Sequence, residues 1–199
     1  MKKIAFIIVL LIVVINSISA QFVVGPKVGL NISKEYFGEK FIDEDVKFKT
    51  GLNVGVFGKY DVSNKFDIQT ELLYSQQGLK VNIPLADYGG TMIEGYKVST
   101  HYLNIPVLLK YYPFKRIYIE AGPQVGFCLD SKLSHEYSNG ISLDYSTTDF
   151  SLAGGIGINI GHGLCVNARY NHGFTRTIFN TDWKNRVIQL SLTYDLWRF

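Results

Sequence analysis

The stretch IYIEAGPQVGFCL, residues 117–129, decides the fold. Its apolar and polar positions alternate with a period of two residues, which indicates a β-strand because successive side chains of a strand point to opposite faces. One face consists of Ile117, Ile119, Ala121, Pro123, Val125, Phe127 and Leu129, and the other of Tyr118, Glu120, Gly122, Gln124, Gly126 and Cys128.

Similar alternation recurs along the chain and predicts eight strands. They are 22–31, 51–61, 66–78, 98–112, 117–129, 148–160, 164–175 and 186–197. The connectors 62–65, 113–116 and 161–163 are short and rich in turn residues, whereas 32–50, 79–97, 130–147 and 176–185 are long and polar. Short periplasmic turns and longer outer loops are typical of an antiparallel transmembrane β-barrel in the outer membrane.

Three features favour a barrel whose apolar face contacts lipid over a soluble barrel that buries it. The strands reach the roughly 9–11 residues that a tilted strand needs to cross a membrane. The polar face is rich in glycine, which suits the narrow interior of an eight-stranded barrel. Aromatic residues gather at the strand ends, as in the girdles that mark the headgroup boundary. The periplasmic girdle is predicted to contain Tyr60, Phe66, Tyr111, Tyr112, Phe114, Tyr194 and Trp197, and the outer one Tyr74, Phe127, Phe150 and Phe174.

The N-terminal segment predicts an export signal. Lys2 and Lys3 precede a twelve-residue apolar run, IAFIIVLLIVVI, and the small residue Ala20 marks the expected cleavage site. We therefore assign residues 1–20 to a signal peptide and residues 21–199 to one barrel domain in the outer membrane of a Gram-negative bacterium.

The charge balance argues against a nucleic-acid-binding protein. The formal charge is +3, and removal of Lys2 and Lys3 leaves +1. Cys128 and Cys165 fall near opposite ends of the predicted barrel, and a disulfide needs Cα atoms about 4.4–6.8 Å apart. We therefore expect two free thiols.

Seven charged residues are predicted to point into the barrel. Buried charges must be paired, so the favoured interpretation is a salt-bridge network that plugs the lumen. The alternatives are a gate or narrow polar path, and a catalytic carboxylate pair. The inward set is Lys27, Lys59, Glu71, Lys110, Glu120, Arg169 and Asp195.

No pattern predicts a catalytic, metal or cofactor site. His101, His135, His162 and His172 fall in four separate places, and the glycine-rich run 154–161 lacks both the third glycine and the helix of a nucleotide loop. We therefore expect no cofactor and no enzymatic activity. A lipid-modifying enzyme stays an alternative, with His172 and a loop Ser or Asp at the outer rim.

The first long loop carries four aromatic residues between residues 34 and 50, and two interpretations stay open. These aromatics either form a binding surface or pack as a short β extension over the barrel mouth. They are Tyr36, Phe37, Phe41 and Phe48.

Several motifs, in their order along the chain, resemble the PorT-like outer-membrane β-barrel proteins. They are GPKVGLN at 25–31, ELLYSQQG at 71–78, YLNIPVLLKYYP at 102–113, EAGPQVG at 120–126 and LSLTYDL at 190–196. The family has proline where Pro106 and Pro123 interrupt predicted strands. Its members commonly end on an aromatic at the place of Leu196. Here three residues follow, and Phe199 shares the face of Tyr194 only if the strand bulges.

The resemblance implies an eight-stranded barrel, of the architecture of OmpX and OmpA. We expect a monomer with a structural or accessory role. The name-giving member is linked to protein secretion through the type IX system. The implied partners are outer-membrane lipid, the barrel-insertion machinery and secretion-system components. The alternative is an adhesion or ligand-binding barrel acting through 32–50, 79–97 and 130–147. The resemblance assigns no residue a catalytic or binding role.

Overall fold

The computed structural model describes residues 22–36, 46–87, 90–135, 138–142, 147–175 and 184–199. The predicted signal peptide, residues 1–20, lies outside the described residues. None of the described segments forms a helix with the length and apolar character needed to cross a bilayer.

Ten β-strands make up the described structure. They are β1 (Phe22–Tyr36), β2 (Val46–Ser63), β3 (Phe66–Asp87), β4 (Gly90–Tyr111), β5 (Ile117–His135), β6 (Ser138–Ser142), β7 (Thr148–Gly161), β8 (Leu164–Gly173), β9 (Lys184–Tyr194) and β10 (Trp197–Arg198).

Eight of these strands close into an antiparallel barrel in which neighbours along the chain are neighbours in the wall. The ring runs from β1 to β5 and on through β7, β8 and β9, and β9 pairs back onto β1. β6 lies outside the ring and pairs with β5, while β10 continues the last strand along β1. Closure pairs both edges of every wall strand, which is what a sheet surrounded by lipid requires. The prediction of an all-β, eight-stranded antiparallel barrel is confirmed.

The strands extend further at the outer end than the sequence predicts. β3 and β4 have 22 residues each and pair from Phe66 with Tyr111 up to Asp87 with Gly90. The prediction of long loops at 79–97 and 130–147 is therefore wrong, because most of these residues are paired in β3, β4, β5 and β6. Periodicity misses such extensions, since a strand outside the membrane needs no apolar face.

The first long connector also contains more strand than expected. β1 continues to Tyr36 and β2 begins at Val46, so the described part of 34–50 favours the β extension. Phe48 on this extension is 60% exposed. Phe37 and Phe41 lie outside the described residues.

Side chains of the wall alternate between an apolar outer face and a polar interior. Leu192 is 45% exposed, whereas its neighbour Thr193 is 4% exposed. Glycines on the inner face give room for large inward side chains: a Cβ at Gly157 would overlap the ring of Tyr118. The interior is therefore packed with side chains, as expected for eight strands.

One predicted girdle residue faces the interior instead. The ring of Tyr112 lies 5.4 Å from that of Tyr118, between centroids, and its hydroxyl is hydrogen-bonded to Asp67. The prediction that Tyr112 belongs to the periplasmic girdle is wrong. Tyr112 follows the end of β4, but it lies two residues after the inward-facing Lys110 and faces the same side.

Pro106 of β4 and Pro123 of β5 lie where the hydrogen-bonded ladders are interrupted. Pairing of β3 with β4 skips from Thr70–Val107 to Leu73–Asn104. Pairing of β4 with β5 likewise skips the two positions that follow Pro106. The hydroxyl of Thr70 donates to the Pro106 carbonyl at 3.1 Å. These gaps accommodate residues that have no N–H to donate.

The C-terminal strand contains a bulge at Asp195 and Leu196. From the pair Lys27–Thr193 to the pair Val24–Trp197, β1 contains three residue steps whereas the last strand contains four. Because of the extra residue, the odd-numbered residues after the bulge face outward, whereas the even-numbered residues face outward before it. Phe199 therefore lies on the outer face with Tyr194, and its main chain is hydrogen-bonded to that of Phe22.

Candidate functional site

The charged residues assigned to the interior form two groups inside the barrel. Lys27, Glu71, Lys110, Glu120 and Arg169 are each at most 3% exposed and form the central cluster. Lys59 and Asp195 lie lower, toward the end with the short turns, which an outer-membrane barrel keeps in the periplasm.

Glu71 of β3 is the centre of the central cluster. Its carboxylate accepts two hydrogen bonds from Lys27 Nζ, at 3.0 and 3.1 Å. It also accepts two from Arg169, both at 2.8 Å, in a bidentate pair. The Gln69 amide donates a fifth hydrogen bond at 2.6 Å. These donors compensate for removing the carboxylate from water.

Arg169 spans the lumen. In the ring of eight wall strands β3 is third and β8 is seventh, so the two strands lie on opposite sides of the barrel. While Nη1 and Nη2 of Arg169 bind Glu71, its Nε donates to Glu120 of β5 at 2.7 Å. One guanidinium therefore connects three parts of the wall and blocks the cross-section.

Lys110 completes the central cluster. Its Nζ lies 3.7 Å from Glu120 and 4.1 Å from the centroid of the Tyr118 ring, a cation–π contact. The cluster holds three cations, Lys27, Lys110 and Arg169, and two carboxylates, Glu71 and Glu120, so its formal charge is 3 − 2 = +1.

A second ion-pair group closes the periplasmic end. Lys59 Nζ lies 3.4 Å from Asp195 and 3.9 Å from Asp61. Arg198 lies 2.8 Å from Asp61 and 3.8 Å from Asp195. Sequence reasoning missed Asp61, although it shares the parity of Lys59, and it missed Arg198 because the bulge reverses the parity there.

The outer half of the lumen contains a neutral hydrogen-bonded network. Asn31 donates to Ser75 at 2.8 Å and accepts from Asn53 at 2.9 Å, and Ser191 donates to Asn53 at 3.2 Å. Farther out, Asn185 is hydrogen-bonded to Gln77. Polar side chains thus fill the barrel above the central cluster as well.

The described histidines and cysteines form no joint site. The Tyr74 hydroxyl lies 2.6 Å from His101 Nδ1, whereas His162 occupies a turn with φ of 52°. Cys128 and Cys165 are free thiols, as expected. Among the residues that the structure describes, no three His, Cys, Asp or Glu side chains gather as metal ligands.

The residues of the enzyme alternative are not brought together in the described part of the chain. The ring of His172 contacts those of Tyr170 and Phe174 on the outer face. The nearby pair of Asp149 and Thr175, joined at 2.8 Å, involves a carboxylate that is 6% exposed and points into the barrel. The wall therefore separates the carboxylate from the imidazole.

Solved structures with the same fold are outer-membrane proteins. Ail, the attachment invasion locus protein of Yersinia pestis, in complex with the heparin analogue sucrose octasulfate, has a TM-score of 0.53 at 13% identity, over 91% of this chain and 100% of that one. Neisserial surface protein A has a TM-score of 0.56 at 7% identity, over 87% and 97%. OprG from Pseudomonas aeruginosa has a TM-score of 0.50 at 12% identity, over 88% and 95%.

At these identities the likeness concerns the fold alone. No curated protein sequence matches this chain. A family model, described as an outer membrane protein beta-barrel domain, matches residues 16–178. Together with the closed barrel, this match shows that the chain is an outer-membrane β-barrel protein and belongs to the outer membrane protein beta-barrel domain family.

Proposed function

We propose that this protein is a closed, non-enzymatic barrel that binds polyanionic ligands at the cell surface. The binding surface is the outer sheet, which we define as the paired residues 46–48 of β2, 79–87 of β3, 90–98 of β4, 131–135 of β5, and β6. The observation that carries the proposal is a row of lysines across this sheet.

The length of β3 and β4 favours a role outside the membrane. About 9–11 residues suffice for a strand to cross, and each of these strands has 22. The short turns place the other ends of these strands in the periplasm, so the residues beyond the number needed for crossing lie outside the cell membrane. Eleven further residues at about 3.3 Å each extend the hairpin by roughly 36 Å along the strand.

Three lysines occupy neighbouring register positions in the outer sheet. Lys47 pairs with Lys80, and Lys80 pairs with Lys97. Like charges directly opposite one another destabilise a sheet, so an anionic ligand that neutralises them gains binding energy. The similar fold of Ail has been solved with a sulfated heparin analogue, which suggests a sulfated polysaccharide as the probe.

The experiment compares the binding of purified full-length protein to immobilised heparin and to desulfated heparin. The test variant combines Lys47→Gln, Lys80→Gln and Lys97→Gln. A matched control removes three cations from the periplasmic turns, by Lys65→Gln, Lys115→Gln and Arg116→Gln.

We expect the test variant to bind heparin about tenfold more weakly, since each lost lysine–sulfate ion pair should contribute roughly 0.2–1 kcal/mol. The control is expected to bind like the wild type. Equal binding of heparin and desulfated heparin by the wild type, or an equal loss in both variants, would overturn the proposal.

The resemblance to the PorT-like proteins favours a second candidate, an accessory role in protein secretion. Its motifs lie in wall strands and not in the outer sheet: YLNIPVLLKYYP covers β4 as it reaches the periplasmic end. A deletion strain that still secretes its normal set of proteins would exclude this role. In either case we propose a monomer that is inserted by the barrel-insertion machinery.

A further inference from the structure

We infer that the outer end of the lumen binds a calcium ion among buried side-chain oxygens. The calcium site is lined by six polar side chains from five of the eight wall strands. They are Gln77 of β3, Gln124 of β5, Asp149 and Ser151 of β7, Asn171 of β8 and Asn185 of β9. None of these residues is more than 7% exposed. The site is separate from the outer sheet and does not depend on the proposed polyanion binding.

Asp149 provides the negative charge of the calcium site. Its carboxylate accepts a hydrogen bond from the Thr175 hydroxyl at 2.8 Å and another from the Asn185 amide. Both donors are neutral, and no lysine or arginine of the described chain forms an ion pair with Asp149. A buried carboxylate is unfavourable unless a cation or a proton neutralises it. The surroundings of Asp149 therefore require one of the two.

A buried carboxylate at the other end of the lumen provides a comparison. Asp67 is also buried and hydrogen-bonded to a hydroxyl, that of Tyr112. The positive charges of Lys59 and Lys110 act on Asp67, whereas no charged side chain of the described residues acts on Asp149. The chain thus supplies the counter-charge of Asp67 itself, and it supplies none for Asp149.

Three amide side chains of the calcium site have oxygens without a hydrogen-bond partner among the described residues. Gln124 donates through Nε2 to Ser151 at 3.1 Å, and its Oε1 is unpaired. Asn185 donates through Nδ2 to Gln77, and its Oδ1 is unpaired. Neither Oδ1 nor Nδ2 of Asn171 has a partner. Because buried polar groups are nearly always satisfied, these oxygens indicate a bound ligand.

The dimensions of the site favour a bare calcium ion over water. The space between the six side chains has no room for a water molecule. A water molecule needs oxygen partners at about 2.7–3.0 Å, whereas Ca²⁺ binds oxygens at about 2.3–2.6 Å. Mg²⁺ keeps several of its own waters and therefore does not fit. Ca²⁺ takes about six to eight oxygens, and carboxylate and amide oxygens are among its usual ligands.

The single carboxylate predicts a weak site. The affinity for calcium depends on the number of charged ligands, and the weak sites of extracellular modules have Kd values of about 10⁻⁴–10⁻³ M. The ligands come together only when the barrel is closed, because they belong to five strands. Calcium therefore binds the folded barrel and not the unfolded chain, and it stabilises the fold by mass action.

The test measures the urea unfolding of purified full-length protein in uncharged detergent micelles, with gel migration as the readout. The conditions are CaCl₂, MgCl₂, NaCl of equal ionic strength, and a chelator. Isothermal titration with CaCl₂ measures binding directly. The site variants are Asp149→Asn and Asn171→Leu, which nearly preserve side-chain size. The matched control is Asp67→Asn, which changes a buried carboxylate outside the site.

We expect about 10 mM CaCl₂ to raise the folding equilibrium constant of the wild type about 10- to 100-fold, as follows from the expected Kd. MgCl₂ and NaCl should not have this effect. Both site variants should lose the response to calcium, and Asp67→Asn should keep it. In chelator, both site variants should be at least as stable as the wild type, because each removes a buried group without a compensating partner.

Three outcomes would overturn the inference. If CaCl₂ neither binds nor stabilises the wild type, Asp149 carries a proton instead of facing a cation. Equal stabilisation by MgCl₂ or NaCl would show that the effect is not specific to calcium. A calcium response that both site variants keep would place the ion elsewhere. The wild-type titration decides the question even if a variant does not fold.

Discussion

Lys27→Met should have opposite effects on stability in two backgrounds, and this reversal tests the central cluster. In the wild type, Lys27 is one of two cations that bind Glu71, at 3.0 Å from its carboxylate. In Glu71→Gln the same ammonium lies buried without that carboxylate. The substitution therefore removes a paired charge in one case and an unpaired charge in the other.

The magnitudes follow from the charge count of the cluster. Lys27→Met changes the formal charge from +1 to 0 and leaves the bidentate Arg169–Glu71 pair intact. The loss should be that of one ammonium–carboxylate contact, whose two hydrogen bonds share the single Nζ, about 1.5–3 kcal/mol. Glu71→Gln raises the charge to +2 and should cost about 3–5 kcal/mol, as expected when one partner of a buried ion pair is removed.

Lys27→Met added to Glu71→Gln returns the charge from +2 to +1. Because a buried unpaired ammonium costs several kcal/mol, the double variant should be more stable than Glu71→Gln alone, by about 1–2 kcal/mol. The assay is urea unfolding in lipid vesicles, followed by tryptophan fluorescence and by gel migration, with linear extrapolation to water.

Lys59→Met is the control, because its carboxylate partners are Asp61 and Asp195 in the periplasmic group. It should destabilise the wild type and Glu71→Gln by similar amounts. If Lys27→Met destabilises both backgrounds equally, Lys27 and Glu71 are not coupled, and the described cluster does not hold the lumen closed.

Three further predictions concern the wall, the lumen and the C-terminus. Leu192→Arg should lower the free energy of unfolding in vesicles by about 2–4 kcal/mol, since Leu192 faces lipid; tolerance of this change together with intolerance of the inward Thr193→Ser would mean that the assigned faces are reversed. Planar-bilayer recordings should show no steady conductance of porin size, because Arg169 crosses the lumen; large reproducible steps would refute a closed barrel. Phe199→Asp should reduce the yield of folded protein in vesicles much more than Arg198→Gln, as the bulge turns Phe199 toward lipid; equal yields would argue against that bulge.

Much of the candidate site was accessible from alternation alone. Period two assigns Glu71, Glu120 and Arg169 to the interior, and the structure places them there. The partners could not be predicted, because Arg169 and Glu71 are 98 residues apart and meet only when opposite strands of a closed ring face each other. The inward position of Asp61 could be predicted from the same alternation. The inward position of Arg198 could not, because the bulge reverses the alternation before that residue.

The sequence by itself determined the strand order, the two faces and the closed class of sheet. These follow from local rules, because each residue's parity and each turn's composition depend only on neighbours along the chain. The tertiary structure decided what depends on pairing between strands. Pairing extended β3 and β4 through most of the predicted loop 79–97, turned Tyr112 inward and brought Phe199 to the outer face. Backbone hydrogen bonds between strands continue wherever a partner strand is present, whatever the polarity of the side chains. The periodicity of the sequence does not show where a partner strand is present.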